Sequence, residues 1–73
     1  MRRSSTRFEI VFIPPEEGPP IVVHSTSNAD DATLRFALEL QRLLADLASG
    51  ELAIRRKTSS SAKPDVVVRQ ELA

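Results

Sequence analysis

The sequence predicts an α+β domain in which a single helix packs on one face of a four-stranded sheet, with the elements in the order ββαββ. One segment, SNADDATLRFALELQRLLADLASG over residues 27–50, has helical periodicity. Four shorter segments rich in Val, Ile and Phe show the two-residue alternation of strands, two before the helix and two after it. Between the first two strands, Pro14, Pro15, Pro19 and Pro20 surround Gly18. Such a run is neither helix nor paired strand, because proline lacks the backbone N–H and fixes φ.

In chain order, residues 1–6 are polar and are expected to fray, leaving residues 7–73 as one small domain. Residues 7–13, RFEIVFI, form the first strand, with Phe8, Ile10 and Phe12 on one face and Val11 and Ile13 on the other. Apolar residues on both faces suit an interior strand. The proline-dense residues 14–20 make a stiff hairpin loop leading into a short strand at residues 21–25. After the helix, residues 51–58, ELAIRRKT, alternate as a strand whose second half is basic, as at exposed edges. Residues 58–64 are a polar connection, and residues 65–72 close the chain with Val66, Val67 and Val68, a run expected at the sheet centre.

The helix has a complete set of local signals. Ser27 or Asn28 can cap its first free N–H groups, with Asp30 and Asp31 at the positive end of the helix dipole. Its body is Leu, Ala, Glu, Gln and Arg, and Gly50 supplies the left-handed residue that commonly closes a helix. At about 100° per residue, Ala29, Ala32, Phe36, Leu40, Leu43, Leu44 and Leu47 share the core-facing side. Opposite them Arg35, Glu39, Arg42 and Asp46 make a solvated ladder of alternating charge.

A further stripe, Leu34, Leu38, Gln41, Ala45 and Ala48, recurs at spacings of four, three, four and three. Leu34 and Leu38 lie roughly 120–160° from the centre of the core face. One reading is a wide apolar face wrapped by the sheet, or Leu34 covered by the proline loop with Leu38 an isolated exposed leucine. The other is a second contact surface, to which Ala45 gives close approach and Gln41 a polar cross-pair.

Two strand arrangements satisfy short connections. The strands lie in sequence order, or the first and last lie parallel at the centre with the second and third at the edges. The apolar first and last strands and the basic third strand favour the latter. In length and element order the chain then resembles the β-grasp fold of ubiquitin-like and immunoglobulin-binding domains. The resemblance is topological and implies a β-grasp-like sheet.

Composition narrows the function. A chain of 73 residues has a small core, and domains of this size commonly gain stability from disulfides, metals or oligomerisation. With no cysteine and one histidine, disulfides and classical zinc sites are absent. Association is the supplement that remains. The absence of cysteine also fits a cytoplasmic setting. The basic N-terminal residues lead into no apolar signal core and nothing approaches a membrane span, so no membrane association is expected. Ten basic and ten acidic residues give zero formal charge, against the basic excess usual in nucleic-acid binders.

Chemistry is sparse. The two glycines are far apart and make no phosphate loop. His24 and Ser25 are adjacent on a strand and therefore point to opposite faces, which makes a poor nucleophile–base pair. The carboxylate pairs Glu16–Glu17 and Asp30–Asp31 lack the spacing of a hard-cation loop. No catalytic residue, metal site or cofactor is expected. Arg55, Arg56 and Lys57 are candidate phosphate or nucleic-acid contacts, joined by Arg2, Arg3 and Arg7 if the first and third strands end together. All three phenylalanines are assigned to the core, so bases have no stacking partner. The leading expectation is a non-enzymatic protein–protein interaction module, an adaptor or homo-oligomerising domain. It would use Leu34, Leu38, Gln41 and Ala45 or an exposed sheet edge. A nucleic-acid accessory using Arg55, Arg56 and Lys57 is the alternative.

Overall fold

The computed structural model describes residues 6–16, 18–58 and 63–72. The expected frayed N-terminus with Arg2 and Arg3, and most of the polar connection before the last strand, lie outside the described residues. Four strands and one helix follow the expected order: β1 (Thr6–Ile13), β2 (Ile21–Thr26), α1 (Ala29–Ala45), β3 (Gly50–Thr58) and β4 (Asp65–Leu72). The fold is therefore α+β with one helix packed on a four-stranded antiparallel sheet.

The sheet order is β2-β1-β3-β4, which matches neither expected arrangement. β1 pairs antiparallel with both β2 and β3. β2 and β3 consequently run parallel, and α1 crosses over β1 to connect them. The β-grasp arrangement needs the first and last strands side by side, but β3 takes the central place and β4 the edge. Two physical reasons account for this. The short β3–β4 connection favours a hairpin between neighbours. The basic half of β3 is neutralised by adjacent strands, where Arg55 meets Glu9 at 3.0 Å and Arg56 meets Asp65 at 3.4 Å.

The core is built around the β1–β3 seam. On the helix side Ile10 opposes Ile54 and Phe12 opposes Leu52. Ile10, Leu52 and Ile54 form the buried cluster, with Phe8, Phe12, Phe36, Leu40 and Leu43 packed against it. On the open side Val11 opposes Ala53, and both are 1% exposed. No described helix or strand lies over that side; the pairs Glu9–Arg55 and Glu51–Arg69 flank the two residues. Long ionic side chains shield apolar surface with their stems while keeping their heads wet. Val66, Val67 and Val68, expected at the centre, are instead 53%, 49% and 40% exposed.

The helix starts as expected and ends early. The Asn28 side chain accepts the Asp31 N–H at 2.9 Å, with Asp30 and Asp31 in the first turn. At the other end α1 stops at Ala45, and Leu47 (φ 56°), not Gly50, is in the left-handed conformation. The Ala48 N–H returns to Leu43 O at 2.9 Å and the Leu47 N–H to Leu44 O at 3.1 Å, the bonding pattern of a Schellman motif. Leu47, expected in the core, is 91% exposed because the helix ends before reaching it. Ala29 and Leu44 also leave the expected core face. Gly50 opens β3 with φ +123°, where an added Cβ would lie 2.5 Å from Ile13 O.

Two substitutions of opposite sign test this account. Leu47→Gly removes a left-handed leucine that packs on little, and should raise stability by about 1 kcal/mol. Gly50→Ala forces a Cβ into the β1 backbone at a strained φ, and should cost about 1–3 kcal/mol. Urea unfolding of both variants measures the two shifts.

Candidate protein-association surfaces

α1 packs on β2, β1 and β3, and no described helix or strand covers its opposite side. Asp31 on one flank reaches His24 of β2, so helical geometry turns the other flank, with Ala37 and Leu44, towards β4. Leu34, Ala37, Leu38, Gln41, Leu44 and Ala45 are all exposed. Leu34 is 58%, Leu38 47% and Leu44 53% exposed. The proline loop therefore does not cover Leu34, and the sheet does not wrap the stripe.

Of the expected stripe, Leu34, Leu38, Gln41 and Ala45 stand together on the helix, while Ala48 lies beyond its end and is half-buried. Ala37 and Leu44 complete the surface. Their signal was present in the sequence: positions 34, 37, 38, 41, 44 and 45 follow the spacing of a coiled-coil seam. Angle alone places Leu44 on the core face.

The sheet edges are the second apolar surface. Ile21, Val22 and Val23 on β2 and Val66, Val67 and Val68 on β4 are exposed. Each edge strand carries an irregularity: the β2 register skips Val23 and the β4 register skips Val67. Bulges at edges twist the strand and interrupt pairing with a further strand.

Of the described basic residues at this end of the sheet, Arg56 stands apart from Arg7, Arg55 and Lys57. Alternation along β3 puts Arg55 and Lys57 on the open side with Arg7, which pairs across from Lys57. Arg56 lies on the helix side opposite Phe8. The ends of β1 and β3 do meet, but Arg55 is committed to Glu9, Arg56 to Asp65, and Arg7 Nε donates to Ser25 Oγ at 3.0 Å. Arg55 Nε is buried and has no acceptor among the described residues. A phosphate would have to compete with these carboxylates from both sides of the sheet.

His24 and Ser25 point to opposite faces, as expected. The His24 ring N–H donates to Asp31 Oδ2 at 3.0 Å, tying β2 to the first turn of α1. Thr26 Oγ1 accepts the Asn28 N–H at 3.1 Å beside it. Among the described residues no group of three or more His, Asp or Glu side chains is placed to hold a metal. No helix of the described residues is long and apolar enough to cross a membrane.

The His24 hydrogen bond, followed by one from Thr26, holds the Asp31 carboxyl below its ordinary pKa. Asp31 is therefore more easily ionised in the folded chain than in the unfolded one. Its stabilising effect is complete above the ordinary carboxylate value of about 4 and is lost as pH falls through the lower folded value. Asp31→Asn should flatten the acid limb of the melting temperature below about pH 4. Thermal melts from pH 2 to 7 measure this. No protein-family model, curated protein or solved structure matches this chain.

Proposed function

We propose that this chain is a small non-enzymatic association module, an adaptor or self-associating domain, that binds a protein chain through the outer face of α1. One observation carries the reading. Leu34, Ala37, Leu38, Gln41, Leu44 and Ala45 are all exposed at the spacing by which helices seat side chains between those of a partner helix.

Contiguous apolar surface of this kind marks interaction sites more often than scattered leucines do. Covering it gains roughly 25 cal/mol per Å² of apolar area removed from water. Association stabilises the folded form by mass action, which matters for a small core. His24 and Asp31 are spent on joining β2 to α1, and the charged residues of β3 on joining strands. The proposed setting is the cytoplasm, which the cysteine-free sequence suits.

The double substitution Leu34→Glu and Leu38→Glu tests the reading. Both sites are exposed, so in dilute solution without a partner the melting temperature should stay near that of the parent. A photoreactive residue at position 41 should give a covalent protein adduct in the parent background and none in the double variant. An adduct that persists, or a probe at 41 that yields none in the parent, refutes the reading.

A further inference from the structure

From Val68 to Leu72 the chain reads Val, Arg, Gln, Glu, Leu, a segment that complements its own reverse: apolar meets apolar, basic meets acidic, and polar meets polar. Beyond the irregularity at Val67 these five residues pair without interruption with β3, from Ile54 opposite Val68 to Gly50 opposite Leu72. Val68, Gln70 and Leu72 therefore share the helix side, and Arg69 and Glu71 the open side. β4 is an edge strand, so its outer side has no neighbouring strand among the described residues; the Gln70 side-chain N–H donates to Glu71 O at 3.1 Å and would give way to a paired strand.

We propose that β4 pairs antiparallel with β4 of a second copy of this chain, about a two-fold axis through Gln70, joining the two sheets into one. This goes beyond the association reading by naming a second copy as a partner, and it does not use the outer face of α1. In this register Gln70 lies opposite its own counterpart. Arg69 faces Glu71 of the second copy, and Glu71 faces Arg69 of the second copy, all on the open side. Val68 and Leu72 meet across the helix side.

The electrostatics of the single chain motivate the pairing. Glu71 lies directly opposite Glu51 on β3, and like charges so placed repel. Arg69 serves Glu51, with Nη2 at 2.8 Å and Nε at 3.0 Å from Oε2. Glu71 is exposed and has no ion-pair partner among the described residues. The second copy supplies the missing cation, and the Arg69 guanidinium, 65% exposed, has donors left for a second carboxylate.

The same charges reject other registers. An axis through Arg69 sets arginine against arginine, and one through Glu71 sets glutamate against glutamate. An axis at Gln70±½ puts residues from opposite faces across from each other. Registers nearer the N-terminal half of β4 run into the irregularity at Val67. The opposite edge, β2, has no Asp, Glu, Lys or Arg to match this pattern. Pairing β2 of one copy with β4 of the next would build an open filament, whereas the Arg69–Glu71 match selects a closed pair.

The experiment is sedimentation equilibrium over a concentration series reaching about 1 mM, the affinity scale of weak edge contacts. Compared are the parent, Glu71→Arg, the swap Arg69→Glu with Glu71→Arg, and Leu34→Glu with Leu38→Glu. The parent should move from monomer to dimer. Glu71→Arg should raise the dimer Kd by roughly tenfold or more, although it places a cation opposite Glu51 and so favours the fold. The swap should restore dimerisation. Gln70→Cys, in a chain with no cysteine of its own, should oxidise to a covalent dimer much faster than Val22→Cys on the other edge. A parent monomeric at every concentration overturns the proposal. So does Glu71→Arg behaving like the parent, a swap that fails to rescue, or equal cross-linking at positions 22 and 70. A dimer that resists Glu71→Arg but dissolves in the Leu34/Leu38 variant overturns the edge contact and leaves the α1 reading standing. A dimer with the reverse sensitivities supports it.

Discussion

Everything else in this domain depends on the pairing of β1 with β3. It is the longest ladder in the sheet, running from Thr6 opposite Thr58 to Ile13 opposite Glu51, and it is buried on both sides. Ile10, Ile54 and Leu52 give the helix its floor, while Val11 and Ala53 are buried on the other side, over which no described helix or strand lies. With β1 held between antiparallel neighbours, the chain must cross it to travel from β2 to β3, and α1 makes that crossing. The position of the helix is thus a consequence of the seam.

A helix with its side chains is about 10 Å across, and strands are about 4.8 Å apart. One helix therefore covers two to three strands. Here those are β2, β1 and β3. Among the described residues the geometry leaves an apolar helix face with nothing above it and a valine-rich edge strand with nothing beside it. Both exposures follow from having one helix for four strands. Neither is repaired by the open side of the sheet, where the pairs Glu9–Arg55 and Glu51–Arg69 already serve as cover.

The parts of the structure that local chemistry decides were legible. Asn28 caps the helix, the prolines hold the first hairpin apart, and Leu34, Leu38, Gln41 and Ala45 emerge on an uncovered face. Features that depend on residues distant in sequence were not. The basic half of β3 reads as an edge until Glu9 and Asp65 are known to sit beside it. Three consecutive valines read as a centre until the short connection from β3 leaves them outermost. The helix end was misjudged for a different reason. A glycine normally marks the left-handed position, but Leu47 adopts that conformation while Gly50 is needed where β3 passes close to Ile13. One signal was present and overlooked: the spacing that groups Ala37 and Leu44 with Leu34 and Leu38.

The separation along the chain of the two central strands has a kinetic side. β1 with β2, and β3 with β4, are near neighbours in sequence, and each hairpin can close over a short loop. Ile10 and Ile54 must find one another across more than half of the chain, with the helix between them. Closing so large a loop delays the contacts that reward it. In a chain emerging N-terminus first, the inner edge of β1 has no partner until residues 50–58 have been made. The first hairpin and the helix must wait with one flank of β1 bare, and the proline-stiffened loop and capped helix keep that half from sampling many wrong shapes meanwhile.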